Sequence, residues 1–390
     1  MQIFSEKKTI PHVIANKSSV YQQLDAWRAL AAIWVVMAHA CSTVITDIRV
    51  LPNGMALLSG NYLYMFSMSG QLGVAMFFVI SGYCIVLAAD NAIAKQKSAM
   101  NFLKARFRRI FPPYYASIVL AIALTLVFIL AAHLKFIPKP SHGPEFINNS
   151  FLYYFSNLTL TQVPFNIKPI QAIYWSLCYE IAFYIIIAAC IFLQKKLNYS
   201  LHGILFILTQ LSLIWLILAP DTCPFPLDLW YLFGMGAFVY IRIKNPDNFQ
   251  SKLFFDITSV LVLLFASLHA GHYTLGHPAS RTQAIFGFVF SLVLLLLYRF
   301  DSILIKNRFI KILSFLGTMS YSIYLSHPTV IAIPRQLMIK MGFIGDKYWI
   351  TLIVQVIIGI GVGYIFHIIC ERPFMSSYAK QREARVKDII

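Results

Sequence analysis

The chain has 390 residues and sets 32 Lys and Arg against 15 Asp and Glu, a formal net charge of +17. It is 59% hydrophobic and only 12% charged, with a mean hydropathy of +0.70. Those values exclude an ordinary soluble domain and predict an all-α integral membrane protein.

Met1 to Gln23 is polar, with Lys7, Lys8 and Lys17 and no short apolar core before a small-residue cleavage site. No secretory signal is evident, and the amino terminus is expected to stay in the cytoplasm. A helix crossing a hydrocarbon core needs about 20 apolar residues, with a lower limit of roughly 17. Ten runs are candidates: Leu24 to Ile45, Gly70 to Ala89, Tyr114 to Ala132, Ala172 to Leu193, Leu201 to Ala219, Leu227 to Arg242, Phe254 to Ala270, Gln283 to Tyr298, Leu313 to Ile333 and Trp349 to Cys370. The sixth and eighth are short.

With the amino terminus inside, the even-numbered loops face the cytoplasm. They carry Lys95, Lys97, Lys104, Arg106, Arg108 and Arg109, then Lys195 and Lys196, then Lys244 and Lys252, then Arg299, Lys306, Arg308 and Lys311. This is the alternation expected of a positive-inside topology, blurred by Arg335, Lys340 and Lys347 before the last span. Ten spans return the carboxyl terminus, with Lys380, Arg382, Arg385 and Lys387, to the inside. The organisation is then a polar cytoplasmic segment over 1–23, one transmembrane domain over 24–372 and a basic cytoplasmic tail over 373–390. The positive charge is mostly topology beside anionic membrane lipid, and no nucleic-acid partner is expected.

Cys41, Cys84, Cys178, Cys190, Cys223 and Cys370 are scattered, nearly all within predicted spans, and show neither metal-ligand spacing nor a disulfide framework. No metal is expected. A phosphate-cradling GxxxxGK loop is also absent, which argues against an ATP-driven pump. The apolar runs do not repeat at a fixed period.

The first span, within "RALAAIWVVMAHA", opens on Arg28 and carries His39 eleven residues later. At 3.6 residues per turn that is about three turns, so both project from nearly one face, about 16 Å apart. Arg28 sits near the inner end and His39 about 9 Å short of the outer end. The fourth span, "YWSLCYEIAFY", runs the other way and sets Glu180 about 12 Å below its outer end, close to the depth of His39. Ser176 and Glu180, four residues apart, share a helix face. Ionisable groups within a span normally face the protein interior or a wet cavity. A carboxylate beside a histidine can fix its tautomer for general-base work on a hydroxyl.

Each residue also has a structural reading. Arg28 can be a snorkelling anchor, His39 an interhelical hydrogen-bonding group and Glu180 half of a structural ion pair. The cluster from Lys104 to Arg109 is topological whatever else it does. His327 precedes Pro328 near an outer helix end, where a kink and a capped imidazole are the default.

In combination, however, these stretches resemble the acyltransferase 3 family of integral-membrane O-acyltransferases over nearly the whole chain. The most specific mark is the Arg, ten residues, His arrangement of Arg28 and His39 in "LDAWRALAAIWVVMAHA". Supporting marks, in order, are "FFVISGY" at Phe77 to Tyr83, "RRIFPPYY" at Arg108 to Tyr115, "YWSLCYE" at Tyr174 to Glu180, "SYSIYLSHP" at Ser320 to Pro328 and "ERP" at Glu371 to Pro373.

The resemblance implies transfer of an acyl group, usually acetyl, from cytoplasmic acyl-CoA to a hydroxyl of a carbohydrate, lipid-linked glycan or similar acceptor. It also implies a multi-pass protein of a bacterial cytoplasmic (inner) membrane. On that view His39 and Arg28 match the family's essential histidine and arginine. Arg28, Lys104, Arg106, Arg108 and Arg109 can then hold the phosphates of acetyl-CoA. His39 acts as general base, with Glu180 beside it, or as an acyl-carrying nucleophile. Ser81, Tyr83, Tyr174 and Ser176 are candidate donors to the thioester oxygen, with His327 a further candidate. The outer loop Lys135 to Gln171, with "FLYYFSNLTL", is a candidate acceptor platform or an interfacial helix. Some family members carry a fused soluble domain; this chain is expected to act alone or with a separate delivery or assembly partner. The alternative from another class is a transporter that uses the buried His and Glu as a proton or substrate relay.

Overall fold

The structure, a computed structural model, describes residues 21–48, 61–135, 146, 149–269, 280–343 and 347–387. Residues 1–20, most of the loop between 136 and 148, and 388–390 lie outside the described residues. They include Lys7, Lys8, Lys17 and part of the expected acceptor platform.

The described chain is helical, with no strand. We number its helices α1 Leu24–Ile48, α2 Tyr62–Met68, α3 Gly73–Ala94, α4 Ala99–His133, α5 Phe151–Thr159, α6 Trp175–Leu197, α7 Leu201–Leu218, α8 Leu227–Lys244, α9 Phe249–Leu268 and α10 Arg281–Tyr298. Then come α11 Arg308–Thr318, α12 Ser320–Val330, α13 Ala332–Lys340, α14 Tyr348–Phe366 and α15 Ser377–Lys387. Side-chain caps mark several starts: the hydroxyls of Ser98, Ser150, Ser200 and Ser280 accept from backbone N–H groups of the first turns of α4, α5, α7 and α10.

Over their described residues the expected spans coincide with helix, the run from Phe254 ending at Ala270, which lies outside those residues. Among the described residues, 8 helical stretches are long and apolar enough to cross a membrane, and up to 9 if the bent pair α11 and α12 forms one span. That pair is broken by 69°, at Met319. The remaining expected span is α8, which carries Asp228, Arg242 and Lys244 among its 18 residues. It nevertheless forms the centre of the bundle: Leu229 to Ile241 are buried without interruption. A helix apolar on all sides and surrounded by neighbours has no membrane-facing stripe to expose.

α8 packs closely against α3. A Cβ at Gly82 would run into the backbone carbonyl of Phe233, and one at Gly236 into that of Val79. Reciprocal glycines allow the two backbones to touch, as small residues do between membrane helices.

Polar contacts gather the charged helix ends at one end of the bundle. The Asp301 carboxylate accepts from the backbone N–H groups of Gln22 and Gln23 at 2.9 and 3.1 Å. Asp90 joins α3 to His202 at 3.1 Å and to Lys244 at 2.6 Å. Lys195 donates to the carbonyl of Lys97 at 2.7 Å. We refer to this as the basic end.

At the opposite end, α5 is amphipathic. Phe151, Leu152, Tyr154 and Phe155 face outward, while Tyr153, Ser156 and Asn157 are buried. Asn157 and Gln162 knit the helix to Tyr114 of α4, and Cys178 donates to Gln162 at 2.8 Å. The "FLYYFSNLTL" stretch is therefore a docked helix with an apolar outer face.

Candidate active site

A cavity of about 90 Å³ opens among α1, α3, α4, α6 and α12, and its walls include Arg28, Ser81, Arg106, Arg109, Glu180 and Tyr324. Helical phase decides which members of the cationic cluster reach it. Arg106 and Arg109 are half-buried and line the cavity, whereas Lys104 and Arg108 are exposed and do not.

Three guanidiniums thus face one carboxylate, Glu180. That carboxylate is already engaged, accepting from Ser81 Oγ at 3.3 Å and from the Tyr184 hydroxyl. Arg106 lies over the rings of Phe102 and Tyr184, at 5.4 and 5.7 Å from their centroids. Among the described residues no carboxylate pairs directly with Arg106 or Arg109, and Arg28 meets only Asp25, at 3.8 Å. Cations thus outnumber anions on the cavity wall, an arrangement that favours an anionic ligand.

α12 carries the cavity wall onward. Its Ser320, Tyr321 and Tyr324 line the cavity, and His327, one turn beyond Tyr324, is fully buried. The Tyr321 hydroxyl donates to the carbonyl of Ile110 at 2.9 Å, which ties α12 to α4. The Tyr324 hydroxyl lies 2.7 Å from Ser176 Oγ, and both hydroxyls reach the carbonyl of Ile173, at 3.1 Å each. One therefore donates to the carbonyl and the other donates to the first. The Tyr324 ring packs 5.8 Å from Phe77, also a cavity residue, and 5.9 Å from His327.

His327 meets His39. Their rings are 5.0 Å apart, and His327 Nε2 lies 3.3 Å from His39 Nδ1. Backbone carbonyls fix the proton pattern. His39 Nδ1 is 2.9 Å from the carbonyl of Val35, and His327 Nδ1 is 3.1 Å from that of Ile323. A carbonyl only accepts, so both Nδ1 atoms carry hydrogen. His327 Nε2 is then an acceptor that shares the His39 Nδ1 proton. The lone pair of His39 falls on Nε2, which has no protein partner among the described residues. That is the state in which an imidazole can take a proton from a hydroxyl.

The structure does not bring Glu180 to His39: no hydrogen bond or ion pair joins them. Glu180 turns into the cavity toward Ser81 and Tyr184, and the side-chain partner of His39 is a second histidine. Ser81 and Ser176 line the cavity as expected. Tyr83 and Tyr174 do not. Tyr83 is fully buried against Tyr21 and Tyr240, and the Tyr174 hydroxyl lies 2.8 Å from Ser117 Oγ. The expected capping contact of the imidazole is present, from His327 Nδ1 to the carbonyl of Ile323, together with the contact to His39; α12 runs through Pro328, and the bend of this region lies two turns earlier, at Met319. Sequence reasoning missed Tyr184, Tyr321 and Tyr324. The spacing of Ser320, Tyr324 and His327 at i, i+4 and i+7, one helix face, was a signal for Tyr324.

The acyltransferase-domain family profile matches residues 21–372. The exopolysaccharide production protein ExoZ of Rhizobium meliloti (strain 1021) is 26% identical over 335 residues, covering 78% of this chain and 90% of its own length. The peptidoglycan O-acetyltransferase OatA of Listeria monocytogenes serovar 1/2a is 25% identical over 320 residues, covering 72% of this chain and 48% of that protein. No solved structure matches. The resemblance first carried by Arg28 and His39 thus extends over the bundle, and the chain belongs to the acyltransferase 3 family of integral-membrane O-acyltransferases.

Proposed function

We propose that the protein transfers an acetyl group from acyl-CoA to a hydroxyl of a cell-envelope carbohydrate, with His39 as general base. The observation that carries this reading is a juxtaposition: three guanidiniums line a cavity whose Tyr324 packs against His327, which in turn meets His39. The anionic end of acyl-CoA suits Arg28, Arg106 and Arg109, and its flexible arm would run past Phe77 and Tyr324 to reach His39, which lies beyond the cavity lining. The basic end is then cytoplasmic, in keeping with its lysines and arginines, and the protein resides in a bacterial inner membrane. A carbohydrate acceptor is supported by the names of the two relatives, one tied to exopolysaccharide and one to peptidoglycan.

In the reaction, His39 Nε2 takes the acceptor's hydroxyl proton as its oxygen attacks the thioester carbon. The carbon–sulfur bond then breaks, and the proton passes to the departing thiolate. The Val35 carbonyl and His327 Nε2 share the Nδ1 proton of His39 and thereby keep the basic lone pair on Nε2. Direct transfer is preferred over an acyl-histidine, which uses the same Nε2 lone pair but would need shielding from water. Glu180, bound to Ser81 and Tyr184, shapes the donor cavity instead of orienting His39.

Membranes holding the protein or its His39→Ala variant at matched expression, given labelled acetyl-CoA and a carbohydrate extract, test this reading. Label should appear in ester linkage on the carbohydrate with the unaltered protein alone. Equal transfer by both proteins would remove His39 from the chemistry. Transport of the acceptor without CoA release would favour the relay alternative.

A further inference from the structure

The family match ends at residue 372, yet the chain continues into α15, Ser377–Lys387. By composition this helix is a basic tail. Its position is more specific. Glu383 is buried, 3.5 Å from Arg372 Nε and 3.6 Å from His367 Nε2. His367 in turn meets Glu371 at 2.8 Å, and Ser322 of α12 donates to the same carboxylate at 2.6 Å. Lys380 Nζ donates to the carbonyl of Pro373 at 3.3 Å. The helix is thus seated on the bundle.

From that seat Arg382 reaches the beginning of α1. Its Nη2 lies 3.0 Å from Asp25 Oδ2 and donates to the carbonyl of Gln22 at 3.3 Å. The other oxygen of the same carboxylate, Asp25 Oδ1, lies 3.8 Å from Arg28 Nη1. One carboxylate is therefore divided between two guanidiniums, and the closer contact belongs to α15. Asp25 is 8% exposed in its side chain, so water competes little for it.

We infer that Arg382 is a positioning residue for the donor site: it holds Asp25 and so leaves the guanidinium of Arg28 available to the anionic acyl donor. A carboxylate freed of Arg382 closes on its remaining cation one turn away, and the Asp25–Arg28 pair becomes an internal competitor for the donor's phosphate. The helix that lies beyond the family-matched region thereby sets the anion affinity of an arginine within it. This rests on the reading of the cavity as the acyl-CoA site.

A double-mutant cycle in the full-length purified protein tests it, with acetyl-CoA as the probe and initial rates of CoA release to acceptor as the readout. Arg382→Ala should raise KM for acetyl-CoA about threefold to fivefold, the scale of a partly exposed ion pair. The kcat should stay within about twofold, and Arg382→Lys should retain most of the affinity. Asp25→Asn, which removes the competitor, should leave KM unchanged or lower. In the Asp25→Asn background, Arg382→Ala should then have no further effect.

An equal rise in KM in both backgrounds would overturn the inference, because Arg382 would be acting on the donor without Asp25. So would an unchanged KM in Arg382→Ala alone. Arg28→Ala separates the two levels: an unchanged KM there sinks the donor-site reading itself, whereas a large rise with a silent Arg382→Ala sinks only the role of α15. Arg382→Gln replaces the alanine variant if the latter does not purify as a folded species.

Discussion

Lys104, Arg106, Arg108 and Arg109 occupy less than two turns of one helix, yet they divide into two populations. At 100° per residue, Arg106 and Arg109 lie about 60° apart on one face, and Lys104 and Arg108 about 40° apart on the opposite face. The first pair lines the cavity and the second is exposed. Both pairs satisfy the same positive-inside rule, so charge counting along the chain treats them alike. The difference teaches that in a membrane protein a cationic cluster holds two kinds of information, and helical phase separates them: one face states which end is which, and the other builds a site.

The largest effect expected lies beyond both pairs. If the inward arginines bind and His39 reacts, His39→Ala should lower kcat by about a hundredfold to ten-thousandfold, the usual contribution of a general base, with KM for acetyl-CoA little changed. A variant that instead lost donor affinity would merge the two functions and dissolve the distinction between the cavity and the histidine pair. His327→Ala should be milder, roughly tenfold to a hundredfold in kcat, because it removes one of the two acceptors of the His39 Nδ1 proton, leaving the Val35 carbonyl and the base itself in place. His327→Gln keeps an amide oxygen able to accept that proton and should recover part of the loss. Equal rates for the alanine and glutamine variants would show that the histidine contact is packing alone.

The inward pair comes next. Arg106→Ala and Arg109→Ala should each raise KM for acetyl-CoA by about tenfold, the loss of one charge-assisted contact in a sheltered site. Their kcat at saturating donor should hold within a few-fold. A fall in kcat at unchanged KM would move these residues from binding to chemistry.

Much of this was legible before any coordinates. Over their described residues the ten apolar runs are helix, because about 20 consecutive apolar residues leave the backbone no other way to satisfy its hydrogen bonds in lipid. Arg28 was legible for a related reason: a guanidinium inside a span has to face the interior. The partner of His39 was not. Position along a helix follows from counting residues, and counting alone put Glu180 and His39 at similar heights. Rotation about the normal follows from packing between helices distant in sequence. His327 is 288 residues from His39, and nothing in either span states that they face each other. The assignment of α8 as a short span fell between these cases. Its sequence announced the helix, while its burial on all sides depends on glycines at 82 and 236 that bring α3 against it.

The smallest effect is the strictest check on the comparison. Lys104→Ala combined with Arg108→Ala should change KM for acetyl-CoA by no more than about twofold at ordinary salt, since exposed charges are screened over a Debye length of about 8 Å. Purified yield should hold as well, because Lys95, Lys97, Arg106 and Arg109 still mark the same end of the helix pair. Assays at low and physiological ionic strength sharpen the reading. If the double variant matters only at low salt, the outward pair contributes a diffuse attraction for the donor and nothing more. A tenfold loss that survives physiological salt would mean that the donor reaches around α4 to the exposed face, and the division of the cluster by helical phase would fail.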